Sequence, residues 1–202
     1  MKTLSTSFLV VALIGCASAP MSPSNSTTPA TVDAPSVVVT EEMGSPHPGD
    51  AAPDFALTDQ NGKQVTLSTL RGAVVVLAFV ASYCPFSEAA QPSLTKLANA
   101  YAPKGVKVVA VDVREDDAGY RTYVTRTQMP FPVLHDGDGA VSTAYAPAHA
   151  SPGVKDRTKV VVTSNLVIDR EGRIRFFTLL DSGHFDAELV HVRQAVDEVL
   201  GG

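Results

Sequence analysis

Ala73-Val74-Val75-Val76-Leu77-Ala78-Phe79-Val80-Ala81-Ser82-Tyr83-Cys84-Pro85-Phe86-Ser87 is the stretch whose reading decides the fold. From Ala73 to Ala81 every position is apolar. A strand with one wet face alternates polar and apolar residues. A strand apolar on both faces belongs inside a sheet covered on both sides. Pro85 then suits the first position of a helix, where its missing N–H would have no partner anyway. Ala90, Leu94, Leu97, Ala98 and Tyr101 recur at helical spacing and form one apolar stripe. Pro92 falls inside that stripe and predicts a kink. Pro103 and Gly105 end the helix.

The pattern extends outward in both directions. Upstream, Asp54–Leu57 reads as a strand, Asn61-Gly62 as a turn and Gln64–Leu67 as the returning strand, followed by a helical turn over Ser68–Leu70. Downstream, Val106–Val113 is a second buried strand, Asp116–Gln128 a helix and Phe131–Leu134 a third strand. Val141–Tyr145 is a short helix, and Lys159–Asp169 pairs with 172–179 as a hairpin. Phe185–Leu200 is a terminal amphipathic helix. Such alternation, closed by a hairpin and a helix, predicts an α/β fold, a mixed central sheet with helices on both faces. Residues 146–158 carry turn chemistry without periodicity and read as a surface insertion or a functional loop.

The chain has 202 residues, with 45% hydrophobic and 18% charged, enough to bury a core without covalent staples. A net charge of −5 argues against a nucleic-acid partner, and the absence of tryptophan argues against a stacking platform for single strands. Two cysteines exclude a disulfide framework and a multi-cysteine metal or cluster site. His135, His149, His184 and His191 lack metal-ligand spacing, so neither metal nor cofactor is expected. Asp181, beside His184, is expected to cap the final helix. Glu115, Asp116 and Asp117 read as an acidic helix start that complements the helix dipole.

The two cysteines separate. Residues 1–15 read as a secretory signal, with Lys2 ahead of an apolar run from Phe8 to Ile14. Leu13-Ile14-Gly15-Cys16 resembles the lipobox of bacterial lipoproteins, in which cleavage precedes a cysteine that is then lipidated. That resemblance implies an anchor in the cell envelope, with the protein facing the periplasm. The other reading is an ordinary secretory signal cleaved near Ala17-Ser18-Ala19. Residues 16–47 are rich in Ser, Thr, Pro and Ala and read as a flexible tether. Val37–Val39 is the one feature that would suit a folded extension instead. The folded domain is expected over 48–202.

Cys84 lies where a central strand ends and a helix begins. Ligands bind at the carboxyl ends of strands in open α/β sheets. A helix N-terminus offers free N–H groups and partial positive charge, which favour a thiolate. Cys84 is therefore the candidate nucleophile, against the common alternative of an inert buried thiol. Tyr83, Pro85, Phe86 and Ser87 are the local candidates to support the thiolate.

The segment Val74–Phe86 resembles the active-site strand of the thioredoxin-like redoxins, a group that includes the alkyl hydroperoxide reductase/thiol-specific antioxidant proteins and membrane-anchored periplasmic thioredoxins. Gly49-Asp50-Ala51-Ala52-Pro53-Asp54-Phe55, the Asn61-Gly62 turn and Leu166–Ile174 are similar to the opening and the late hairpin of these domains. The resemblance implies a thioredoxin-like fold and thiol redox chemistry. This sequence departs from that pattern at several points. Ser87 stands where dithiol members have a second cysteine, and Tyr83 where tryptophan is common. Thr163 stands where the cis-proline opposite the cysteine is expected, which makes it a further candidate at the site. The proline and threonine that precede a peroxidatic cysteine are missing, and Arg157 or Lys159 would have to supply positive charge. With Cys16 lipidated, an external thiol reductant or redox partner protein must complete any cycle. A non-catalytic binding or chaperone-like lipoprotein is the competing expectation. A copper-delivery role is a third, without paired cysteines to support it.

Overall fold

A computed structural model describes residues 46–147, 150, 155, 162–183 and 185–202. Cys16, Val37–Val39, His149, Arg157, Lys159 and His184 lie outside them, as do the expected signal and nearly all of the expected tether. β1 (Ala56–Thr58) and β2 (Gln64–Thr66) form an antiparallel hairpin, and a 3-10 turn follows at Leu67–Leu70. Then come β3 (Val75–Val80), α1 (Pro85–Tyr101), β4 (Lys107–Val113), α2 (Asp117–Thr127), β5 (Val133–Asp136), α3 (Ala140–Tyr145), β6 (Ser164–Ile168), β7 (Ile174–Leu179) and α4 (Val190–Gly201). The main sheet runs β5-β4-β3-β6-β7. β5, β4 and β3 are parallel, while β6 and β7 join antiparallel.

β3 is the central strand, and the continuous apolar run explains why. None of its six residues is more than 3% exposed. Val76, Ala78 and Val80 pack with α1, α2 and α4 on one face. Val75, Leu77 and Phe79 pack on the other with the hairpin, the 3-10 turn and Tyr145 of α3. Leu94 and Leu97 of α1 are buried against the first of these faces, and α1 carries Pro92 without interruption. Asp116 caps α2, its carboxylate accepting the Gly119 N–H at 2.8 Å.

Most boundaries shift by a residue or two from the sequence reading, and three shifts have a physical reason that bears on the site. β5 begins at Val133, because Pro132 has no N–H to give a ladder and uses its carbonyl to accept the Ala110 N–H at 2.9 Å. α4 begins at Val190, five residues later than expected. The residue that satisfies its first turn is Asp186, whose carboxylate accepts the His191 N–H at 2.9 Å. Asp181 is therefore not the cap; it accepts the Gly183 N–H at 2.8 Å in a local turn. Of the strand expected over 159–169, the ladder is made by Ser164–Ile168, and residues 159–161 lie outside the described set.

Candidate active site

The parallel strands β3 and β4 both end at the same edge of the sheet, where Val80 pairs with Asp112. The chain leaves β3 through Ala81, Ser82 and Tyr83 and enters α1 at Cys84, the N-cap residue. Its extended backbone (φ −98°, ψ 110°) aims the chain into the helix, and Pro85 fixes the first helical φ. The Cys84 N–H donates to the Ala81 carbonyl at 3.2 Å, and the Cys84 carbonyl accepts the Glu88 N–H at 3.0 Å. Cys84 is a free thiol, partly exposed.

Among the described residues the sulfur has one hydrogen-bond partner, the Thr163 hydroxyl at 3.2 Å. Thr163 is 8% exposed and directly precedes β6, the strand beside β3. Its carbonyl accepts the Leu180 N–H at 2.8 Å, and its hydroxyl lies 3.5 Å from the Leu180 carbonyl. The hydroxyl is thus held between the sulfur and a long, weak alternative acceptor. When the sulfur ionises, the hydroxyl proton turns to it, because bonds to a charged acceptor are stronger.

Ser87 has a different task from the one expected of it. It is 2% exposed, and its hydroxyl accepts the Ala81 N–H at 3.1 Å rather than meeting the sulfur. It staples the turn from behind. Tyr83 is 55% exposed, yet its hydroxyl donates to the Val113 carbonyl at 2.9 Å, so the ring bridges the cysteine turn to the end of β4. Partial burial pushes its hydroxyl up to about 12, helped by the negative charge of Glu115, Asp112 and Cys84. Phe86 packs on Phe185 with ring centres 5.1 Å apart. An open groove beside the sulfur is walled by Tyr83, Phe86, Val162, Thr163, Leu180 and Asp181. The wall is mostly apolar and the floor carries one thiol, an arrangement that suits an extended peptide or a thiol-bearing partner.

Sequence reasoning missed two acids beside the turn. Glu115 is not a solvated helix-start charge: it is 8% exposed and accepts the Ser82 N–H at 2.6 Å. The dipole reading holds for Asp116, the cap, and for Asp117 in the first turn of α2. Asp112 is fully buried at the end of β4. Its signal was present in the sequence, since a carboxylate in the otherwise apolar run Val108–Val113 breaks the pattern of a buried strand. Among the described residues, no group of three or more His, Cys, Asp or Glu side chains is placed to hold a metal.

A mixed sheet with a thiol at the N-cap of the helix after its central strand, faced by the residue before an antiparallel neighbour, defines a thioredoxin-like redoxin. The chain belongs to the AhpC/TSA family, whose model matches residues 48–177. It is 29% identical over 126 residues to the thiol-disulfide oxidoreductase ResA of Bacillus thuringiensis subsp. konkukian, covering 62% of this chain and 66%, just under two thirds, of that protein. The crystal structure of a "putative Thiol:disulfide interchange protein DsbE" from Chlorobium tepidum superimposes with a TM-score of 0.64 at 29% identity, covering 78% of this chain and 100% of that one. The thioredoxin domain of a thiol-disulfide oxidoreductase from Bacteroides vulgatus shares the fold at 20% identity, with a TM-score of 0.58 and coverage of 74% and 98%.

Proposed function

We propose that the protein is a thiol-disulfide oxidoreductase working with a single thiol, anchored to the envelope membrane through Cys16 and facing the periplasm. The observation that carries the redox reading is the placement of Cys84 at the N-cap of α1 with the Thr163 hydroxyl 3.2 Å from its sulfur. The names of the relatives support the same chemistry, and Ser87 in place of a second cysteine supports the single-thiol form. In the disulfide branch, the Cys84 thiolate attacks one sulfur of an oxidised thiol. A Cys84–S–S–R bond forms and the other sulfur leaves as a thiolate. An external thiolate then attacks that bond, frees Cys84 and carries R away as a new disulfide. In the peroxide branch, the thiolate takes one oxygen and an alkoxide or hydroxide leaves. One external thiol converts the sulfenic acid to a mixed disulfide with loss of water, and a second thiol releases Cys84.

The test uses the full chain carrying Cys16→Ser, so that Cys84 is the one thiol. Treatment with oxidised glutathione should give a single adduct, absent when Cys84 is also replaced by Ser. Hydrogen peroxide should give a sulfenic acid that dimedone traps. If neither product forms, the second reading stands, a binding module that keeps the fold without the cycle. The feature that favours that reading is the double departure at Ser87 and Thr163. The anchor is tested separately: the unmodified chain should sediment with membranes, and Cys16→Ser should release it. Retention of that variant in the membrane fraction would refute the lipidation reading.

A further inference from the structure

The large apolar side chains that stay exposed among the described residues all lie at the cysteine end of the sheet. They are Tyr83 in the turn, Phe185 against Phe86, and Val190 at the start of α4. Single exposed apolar residues are ordinary, but their concentration at one end of the molecule marks a contact surface. The groove beside the sulfur has a volume of about 550 Å³. That is room for several residues of an extended chain, far more than a hydroperoxide needs. The occupant that fits is a polypeptide segment carrying the sulfur that meets Cys84.

Charge narrows the choice of segment. Besides the sulfur, Asp181 is the one charged side chain in the groove wall among the described residues. It follows Leu180, whose N–H donates to the Thr163 carbonyl at 2.8 Å, so the acid stands on the β7 side of the sulfur. Its Oδ1 accepts the Gly183 N–H at 2.8 Å, which fixes the carboxylate at the rim. Asp186 and the exposed Glu188 follow Phe185. The arginines at this end of the sheet are directed elsewhere. Arg126 donates to Glu88 at 2.8 Å. Arg114 gives its N–H to the Asp136 carbonyl and runs over Gly139, on the β5 side. Arg193 lies near Tyr101 at the far end of α1. His191 faces Asp186 at 3.2 Å, and Lys155 is exposed in the connection between α3 and β6.

Resting on the reading of Cys84 as the nucleophile, we propose that Asp181 is a specificity-determining residue that selects a polypeptide partner whose cysteine is flanked by Lys or Arg. The same carboxylate disfavours anionic thiols and disulfides. A charge at the rim of an open groove acts through water over several ångströms, and salt screens it. The chemistry is that of any thiol exchange. The Cys84 thiolate attacks the partner's sulfur, a Cys84–S–S–partner bond forms, and the displaced sulfur leaves as a thiolate. Asp181 changes the share of encounters from which that attack starts.

The experiment uses the full chain carrying Cys16→Ser and a set of peptides identical except beside their single cysteine, where both neighbours are Lys, Gln or Glu. Each cysteine is activated as a pyridyl disulfide, so attack by Cys84 releases pyridinethione and its absorbance gives the rate. Rates are divided by those with mercaptoethanol, a neutral thiol, which removes the peptides' own differences in reactivity. The expected order is Lys, Gln, Glu, with about tenfold between the extremes at low ionic strength and a several-fold narrower span at about 0.5 M salt. The thiolate's own charge also favours a cation, so two variants isolate the part of Asp181. Asp181→Asn keeps an acceptor for the Gly183 N–H and should shrink the span about threefold or more. Asp138→Asn removes the same charge after β5, at the other edge of the sheet, and should leave the span unchanged. A span that survives Asp181→Asn, equal shrinkage by both variants, or a reversed order set by cations of the 146–162 connection would overturn the proposal. If none of the peptides reacts, Cys84 is not the nucleophile and both readings fall. Reaction in the wrong order removes the charge selection alone.

Discussion

Two aspartates at opposite ends of the sheet receive opposite treatment. Asp169 follows β6 and closes the hairpin to β7. Its carboxylate accepts the Glu171 and Arg173 N–H groups at 3.1 and 2.8 Å, with Arg175 at 3.7 Å. Asp112, next to last in β4 at the cysteine edge, is more deeply buried, and neither of its oxygens accepts a backbone N–H. At the hairpin edge an acid is used to organise a turn, and every bond adds to stability. At the cysteine edge the fold carries an acid that its own stability does not require. A local stability cost retained at the end of the central strands is what a site under functional constraint looks like.

The sharpest way to break this comparison is to titrate stability. The folded state holds Asp112 at about 8, above its ordinary 3.8, so folding takes up a proton between those values. The contribution to stability is fully present below about pH 4 and is lost as pH rises toward 8. At its steepest the slope is about 1.4 kcal/mol per pH unit. Asp112→Asn should remove that slope and raise stability at pH 8 by several kcal/mol. Urea denaturation of both proteins at pH 5 and 8 checks it, and equal slopes would contradict it. Next in size, Asp169→Ala should cost about 2 kcal/mol, because two backbone N–H groups lose their acceptor at a site 7% exposed. Cys84 alkylation should not change, since Asp169 lies at the far end of the sheet.

Much of this was legible in the sequence. The apolar run Ala73–Ala81 placed the central strand, and Pro85 placed the helix start at Cys84. These signals are local: period, turn residues and a missing N–H act within a few residues. Thr163 was legible only through family resemblance, because its approach to the sulfur depends on β6 lying beside β3. Ser87 was read one turn too literally. Its spacing from Cys84 is that of a second thiol, but the turn needed an acceptor for the Ala81 N–H, and the hydroxyl supplies it. In sequence Glu115 resembles a dipole charge because Asp116 and Asp117 beside it are residues of that kind. Only the placement of Ser82 against β4 separates the three. The end of the last helix pattern was also ambiguous: Phe185 carries the right hydrophobicity, but it packs on Phe86 at the groove instead of starting α4.

Smaller effects sharpen the contrast on the exposed side of the sulfur. Thr163→Val keeps the shape and removes the hydroxyl. It should lower Cys84 alkylation at pH 7 by about tenfold, the equivalent of about 1.4 kcal/mol for one hydrogen bond to a charged sulfur. The rate should recover at high pH, where the thiol ionises without help. A uniform loss across the pH range would instead mean that the valine methyl blocks access.

Tyr83→Phe should have the smallest effect. The hydroxyl gives one bond to the Val113 carbonyl, but the side chain is 55% exposed and water can replace the donor. The expected loss of stability is below about 1 kcal/mol by denaturant titration. The change in alkylation should be less than about threefold, because the Ser82–Glu115 contact still holds the turn. A larger fall in reactivity would shift the holding role from the buried acid to the exposed ring. The comparison would then be between two sides of one turn, one made of charge and one of aromatic surface, rather than between two ends of the sheet.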